Sequence, residues 1–272
     1  MDKGIKTHVE EPGFQSQQSS KCDLLISVTD SVFSYLVVDM LHDQAKIYGS
    51  IGFKNLTDLE SAIDETAILR FYYRKVKISI QTNLFAFIPQ EVFDEGDAGR
   101  YAGFVGGGVT LTNAIKTASI KTVASFDTQL KEFLTKRFPS ALILTQAEPF
   151  VEAALKFYSS ESRQLFIGIA GEKFELLLTE GKKVIFYNLL PKHDADEFNY
   201  YILTIIKQLQ INPKEVSVIL SGEYDAEVIE RLEKYFNEIH HVIAALVVNI
   251  PDDFKTIEQT RIFTLSALLL CE

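Results

Sequence analysis

Two carboxylates beside two tight turns are the first place to look for chemistry. Asp30 lies in the turn of "LISVTDSVFSYLV" and Glu172 in the turn of "FIGIAGEKFELLL". Carboxylates there either hold a divalent cation and orient a water molecule, or are solvated turn positions. His240 and His241 are adjacent, so on a strand they face opposite sides, and no third ligand follows at metal spacing. The run Gly106, Gly107, Gly108 could approach a phosphate. It lacks the Lys-Ser/Thr and the helix start of a phosphate loop, and reads as a flexible loop. No Ser-His-Asp or Cys-His arrangement can be drawn by spacing, and "LSGEY" is not a nucleophile elbow. Cys22 and Cys271 are too few for a zinc site or a disulfide framework and read as small buried residues in a reducing cytosol.

The elements that must position these residues come in two copies. Sliding the segment around Ser27 onto that around Gly168, 141 residues on, pairs Val28 with Ile169, Phe33 with Phe174 and Val37 with Leu178 without a gap. Each copy holds two short extended runs and a turn, and a third run follows, Lys46 to Phe53 and Lys183 to Leu190. Helices and strands then alternate. Thr57 with Glu60, Thr145 with Glu148, and Thr256 with Gln259 have capping-box spacing, while Asp127 and Asp225 open two further helices. Phe198, Tyr201, Ile202, Ile205 and Ile206 form one stripe of an amphipathic helix. "ALILT", "EVSVILSG" and "HVIAALVV" are apolar runs that suit parallel strands covered on both faces.

These patterns predict an α/β protein of two domains. A flexible arm covers 1–20, a first domain 21–146 and a second 147–272, with the last helix packing back on the first. The first half is longer by about 30 residues, which places a small inserted subdomain at about 83–113. The arm is polar with no apolar leader, and no stretch is long enough to span a bilayer, so direct membrane insertion is not expected. The chain has 272 residues and a net charge of −10, with basic residues scattered. That field repels phosphate backbones and excludes nucleic acid as a partner.

Three meandering strands, a parallel continuation, an internal duplication and a helix crossing back resemble the actin-like (ribonuclease H-like) ATPase fold. That fold has two domains, each a mixed five-stranded sheet flanked by helices. The second half resembles the actin-like proteins of pilus assembly and type II secretion. From "CDLLISVTDSVFSYLVVD" to "VILSGEYDAEVIERL" the chain also resembles a Bacteroidetes family of uncharacterised proteins assigned to this fold. In active members, the resemblance implies, each hairpin opens with an Asp and carries a Gly two residues later. Here those positions hold Ser27 and Thr29 in the first hairpin, and Gly168 and Ala170 in the second. Asp30 lies three residues beyond the first carboxylate position, an odd offset that turns its side chain to the other face. Gly171 survives near the second turn, and the adenosine-binding strand keeps Gly222 after Ser221 but follows it with Glu223.

The resemblance therefore implies a degenerate interdomain cleft whose candidate residues are Ser27, Thr29, Asp30, Gly168, Gly171, Ser221 and Gly222. No catalytic residue, metal or cofactor is expected. The function expected is a cytoplasmic scaffold or assembly factor binding an unidentified protein partner. The alternative is a nucleotide-binding switch or ATPase/kinase-type enzyme holding ATP and Mg²⁺ with unusual residues. The irregular stretch from Asn83 to Asn113, with Phe85, Phe87, Phe93 and Phe104, is the expected contact surface, homodimerisation included.

Overall fold

In the computed structural model, residues 5–94, 96, 98–106 and 109–272 are described. Gly107 and Gly108 of the glycine run lie outside them, as do Glu95 and Asp97. The chain begins with β1 (Ile5–Glu10) and a 3₁₀ turn, then the meander β2 (Cys22–Val28), β3 (Val32–Asp39) and β4 (Gln44–Gly52). Helix α1 (Leu56–Glu65) and strand β5 (Lys75–Ile80) follow. The first sheet has the order β1-β4-β3-β2-β5-β9, with β9 (Leu142–Thr145) at its far edge. Strands β2 to β4 are antiparallel neighbours, and β5 and β9 continue in parallel.

The expected flexible arm is corrected by β1. Ile5 to Glu10 pair antiparallel with Ile51 to Ile47, which makes this sheet six-stranded instead of five. An edge strand gains its place through backbone hydrogen bonds along one side and needs little buried area, so polar composition did not exclude it.

The insertion is larger than expected and is built as its own sheet. Strand β6 (Phe85–Pro89), the short helix α2 (Ala98–Ala102), β7 (Val109–Ile115) and β8 (Ile120–Phe126) occupy it. The order β6-β8-β7 is antiparallel throughout, so β8 belongs to the insertion and not to the first sheet. Helix α3 (Thr128–Arg137), whose N-terminal amide at Leu130 is capped by Asp127, returns the chain to β9. Next comes α4 (Ala147–Phe157).

The second sheet repeats the plan: β10 (Arg163–Ala170), β11 (Lys173–Glu180) and β12 (Lys183–Pro191) form the meander, and β13 (Ser217–Gly222) and β14 (Ile239–His241) extend it in parallel. Its order is β12-β11-β10-β13-β14. Helices α5 (Ala195–Gln208) and α6 (Ala226–Glu233) cover it, capped by Asp194 and Asp225. The run "HVIAALVV" is strand only up to His241; Ala244 to Leu246 form a 3₁₀ turn with Ala244 fully buried.

Two of the expected capping boxes differ. Asn55, not Thr57, caps α1 by accepting from the Asp58 amide at 2.9 Å. The last helix, α7 (Gln259–Ser266), follows Glu258 with no side-chain cap. The Thr145–Glu148 box forms in part, since the Glu148 carboxylate accepts from the Thr145 amide at 2.8 Å. The six-stranded and five-stranded sheets each have their own apolar core, and a third cluster from Leu25 through Phe150 to Phe263 and Leu268 joins the lobes. Among the described residues no helix is long and apolar enough to cross a membrane.

Candidate functional site

The two hairpins repeat residue for residue. In β2–β3, Val28 opposes Phe33 and Ser27 opposes Ser34; in β10–β11, Ile169 opposes Phe174 and Gly168 opposes Glu175. The equivalence extends into the neighbouring parallel strands, where Ser79 lies beside Ser27 and Ser221 beside Gly168. Both turn tips meet at the junction of the lobes: a β-carbon on Gly171 would sit 3.6 Å from the Thr29 hydroxyl. The structure thus brings Ser27, Thr29, Asp30, Gly168, Gly171, Ser221 and Gly222 to one junction, and it gives most of them local work.

In the first hairpin, the Thr29 hydroxyl accepts from the Val32 amide at 3.0 Å and the Ser31 amide at 3.4 Å. Those amides belong to the turn that would face a phosphate, and a side chain of the same turn already uses them. Asp30 reaches the other lobe, where the Lys173 ammonium lies 2.8 Å from its Oδ2. With its side chain 63% exposed and a lysine on it, this carboxylate is a clasp across the junction and a poor metal ligand.

The second hairpin excludes a carboxylate outright. A β-carbon on Gly168 would stand 2.8 Å from Phe150 Cε2 and 3.1 Å from Ser221 Oγ. Phe150, from α4, is buried in the space an Asp side chain would need. Ser221 Oγ is itself buried without a hydrogen-bond partner. Gly222 is retained for backbone reasons: its φ is +84°, and a β-carbon would fall 1.9 Å from the Ile169 carbonyl oxygen. The Glu223 amide then closes on that same carbonyl at 2.8 Å. Glu223 faces Arg261 at 3.4 Å, and Arg261 also meets Glu258.

Between the lobes runs a buried polar chain. Tyr187 donates to Glu175 Oε1 at 2.6 Å, Gln146 Nε2 lies 3.3 Å from the Tyr187 hydroxyl, and Gln146 pairs with the backbone of Thr82 in both directions, at 3.0 and 3.1 Å. Burial pushes the Glu175 carboxyl up to about 8; the tyrosine hydrogen bond opposes this and nearby Glu148 adds to it. Burial also raises the Glu148 carboxyl, against the hydrogen bonds from Thr145 and Asn113. Around this chain, Phe85 and Phe87 of the insertion pack on Tyr187 with ring centres 5.3 and 5.0 Å apart, and Phe150 lies at 6.4 Å. Asn83 donates to the Leu189 carbonyl at 3.0 Å. Two remnants of the cleft survive, of about 50 and about 20 Å³. Each is well below the roughly 300 Å³ of an ordinary ligand site. The residues at the two hairpin positions do not suit a nucleotide's metal, because Ser27 and Gly168 offer no carboxylate and Asp30 is paired with Lys173.

Elsewhere, His241 stacks on Tyr224 and shares a 2.6 Å hydrogen bond with it, while His240 turns to Glu238. Among the described residues no cluster of three or more His, Cys, Asp or Glu could hold a metal. Cys22 and Cys271 are buried free thiols, raised by desolvation to about 11 and about 12. Of the expected contact aromatics, Phe85 and Phe87 are spent on the lobe junction and Phe93 stacks on Tyr101, whereas Phe104 is 77% exposed. The sequence reading missed Phe150, Glu175, Tyr187 and Lys173. A signal existed for Glu175 alone, as a charged residue inside the apolar strand "KFELLL".

Comparison with known proteins fits this geometry. No curated protein matches the chain. A Bacteroides thetaiotaomicron protein with an actin-like ATPase fold and unknown function superposes with a TM-score of 0.76 at 20% identity, over 95% of this chain and 99% of that one. A PilM–PilN type IV pilus biogenesis complex gives a TM-score of 0.60 at 13% identity, over 91% of this chain and 97% of that one. The family described as "Protein of unknown function (DUF3822)" matches residues 11–239. The chain therefore belongs to the DUF3822 family, and its two lobes are built on the actin-like ATPase fold.

Proposed function

We propose that this protein is a catalytically inert member of the actin-like fold that acts through contacts with a protein partner, as a scaffold or assembly factor. The observation that carries this reading is Phe150, which occupies the place of the second hairpin's carboxylate while Thr29 uses the amides of the first turn. Catalysis of phosphoryl transfer is largely positioning and charge stabilisation, and neither Ser27 nor Gly168 offers a carboxylate to hold a metal-bound water. The similar PilM structure is seen with PilN, so the fold accommodates a role in assembly. The strand order common to both sheets supports placing each lobe in the ribonuclease H-like class, and we assign the protein to the cytoplasm on its reduced, buried cysteines.

A thermal shift with ATP and Mg²⁺ tests the reading. A ligand at a hundredfold its Kd adds ~2.7 kcal/mol of stability. For a protein of this size that raises Tm by roughly 5 °C or more. We expect no shift and no hydrolysis above a buffer blank. A shift of that size would restore the nucleotide-switch reading.

A further inference from the structure

Beside the plugged junction the structure keeps an open cavity of about 460 Å³, within the size of ligand sites. Val28, Phe53, Leu56, Ile80, Phe126 and Leu130 give its walls a large apolar face, beside the polar Thr29, Gln81, Thr82 and Asn83. Val28, Ile80 and Phe126 are almost wholly buried and form the floor. The rim carries Asp30, Asp127 and Lys173. Because Lys173 is tied to Asp30, the rim keeps an excess of one negative charge, on a chain of net charge −10. An anion would be repelled there and a cation drawn in. Leu84 stands at the mouth, 46% exposed, and touches the turn at Gly106 that carries the exposed Phe104. Leu84 and Phe104 thus present exposed apolar side chains outside the cavity, on the insertion.

We propose that this cavity is a docking site for an extended segment of a partner protein carrying large apolar side chains and one lysine or arginine. The proposal rests on the partner-binding reading above and gives that reading its site and the chemistry of its partner. Apolar side chains fill the space between Leu56, Phe126 and Leu130. The basic group lies at Asp127 and Asp30, competing with Lys173 for the latter. Since Asp30 and Lys173 come from different lobes, occupancy loosens or replaces the clasp between the turn tips.

The test uses the full chain and a displayed library of random peptides of about ten residues, with a Leu84→Glu variant as the counter-target. Leu84 is half exposed, so the substitution leaves the fold intact. A second variant, Asp127→Asn, removes the rim charge but keeps the helix cap, because Asn caps as well as Asp. We expect enrichment of peptides that combine two or more large apolar residues with Lys or Arg. By fluorescence anisotropy they lose about tenfold in affinity on Leu84→Glu and about threefold or more on Asp127→Asn, with Tm unchanged. No enrichment over the counter-target overturns the proposal, as does enrichment of acidic peptides or indifference to both substitutions. Such a failure, with ATP still giving no thermal shift, removes this site and leaves the inert, partner-binding reading standing.

Discussion

Raising the pH should weaken this protein through one carboxyl group. Glu175 lies on β11 between the lobes, 6% exposed, and its carboxyl is held at about 8 against an ordinary value of 4.5. Below 4.5 both the folded and the unfolded chain carry the proton, and the group's contribution is fully present. As the pH rises the unfolded chain ionises first while the folded one keeps its proton, so stability falls, and the loss is complete above about 8. The separation of the two values corresponds to about 5 kcal/mol as an upper bound, at ~1.4 kcal/mol for each pH unit. Glu148 changes in the same direction, so the difference between wild type and Glu175→Gln is the quantity to measure. The glutamine carbonyl can still accept from Tyr187 and never ionises. Urea unfolding at about pH 5, 7 and 9, with the m-value checked at each, gives the stabilities. The variant should be no more stable than wild type at the lowest pH and more stable by roughly 2–5 kcal/mol at the highest. An equal difference at all three would refute the reasoning.

Gly222→Ala forces a β-carbon against the Ile169 carbonyl at positive φ, and thermal unfolding should show a loss of about 2 kcal/mol or more. Gly168→Asp collides with Phe150, and adding Phe150→Ala should recover part of that loss; a double-mutant cycle should give a coupling of at least ~1 kcal/mol, whereas strict additivity would mean the two side chains do not compete. Lys173→Ala removes an exposed clasp and should cost no more than about 1 kcal/mol by chemical denaturation, less at high salt.

The duplicated meander was legible because a period of two and a gapless spacing both survive in it, and Val28–Phe33 and Ile169–Phe174 pair as that spacing requires. Strand β1 carried the same period, with Ile5, Thr7 and Val9 alternating with Lys6, His8 and Glu10, but weakly, because an edge strand is stabilised by the backbone of β4 more than by burial. Strand β8 was visible as a strand and not as a member of the insertion, since periodicity carries no information on which sheet a strand joins. The missing carboxylates at Ser27 and Gly168 could be read directly. What fills their place could not: Phe150, Tyr187 and Lys173 acquire their roles by meeting residues far away in sequence, and an ordinary core aromatic has the same local pattern. Glu175 was the exception, because a carboxyl in an apolar strand needs a partner wherever the chain goes.

Lys77, on β5 beside the edge strand of the first sheet, donates to the carbonyl of Leu269 at 3.2 Å and to that of Cys271 at 2.5 Å. Burial lowers its ammonium below the usual lysine range, so it depends on those carbonyls to stay charged. They lie 192 and 194 residues downstream. On the ribosome, the strand that carries this lysine emerges long before its partners are made. This contact therefore cannot close until the opposite lobe has been synthesised and its final turn has swung back. At ~5–20 residues per second that delay is on the order of ten to forty seconds, an interval in which the amine is better solvated outside the sheet than buried within it.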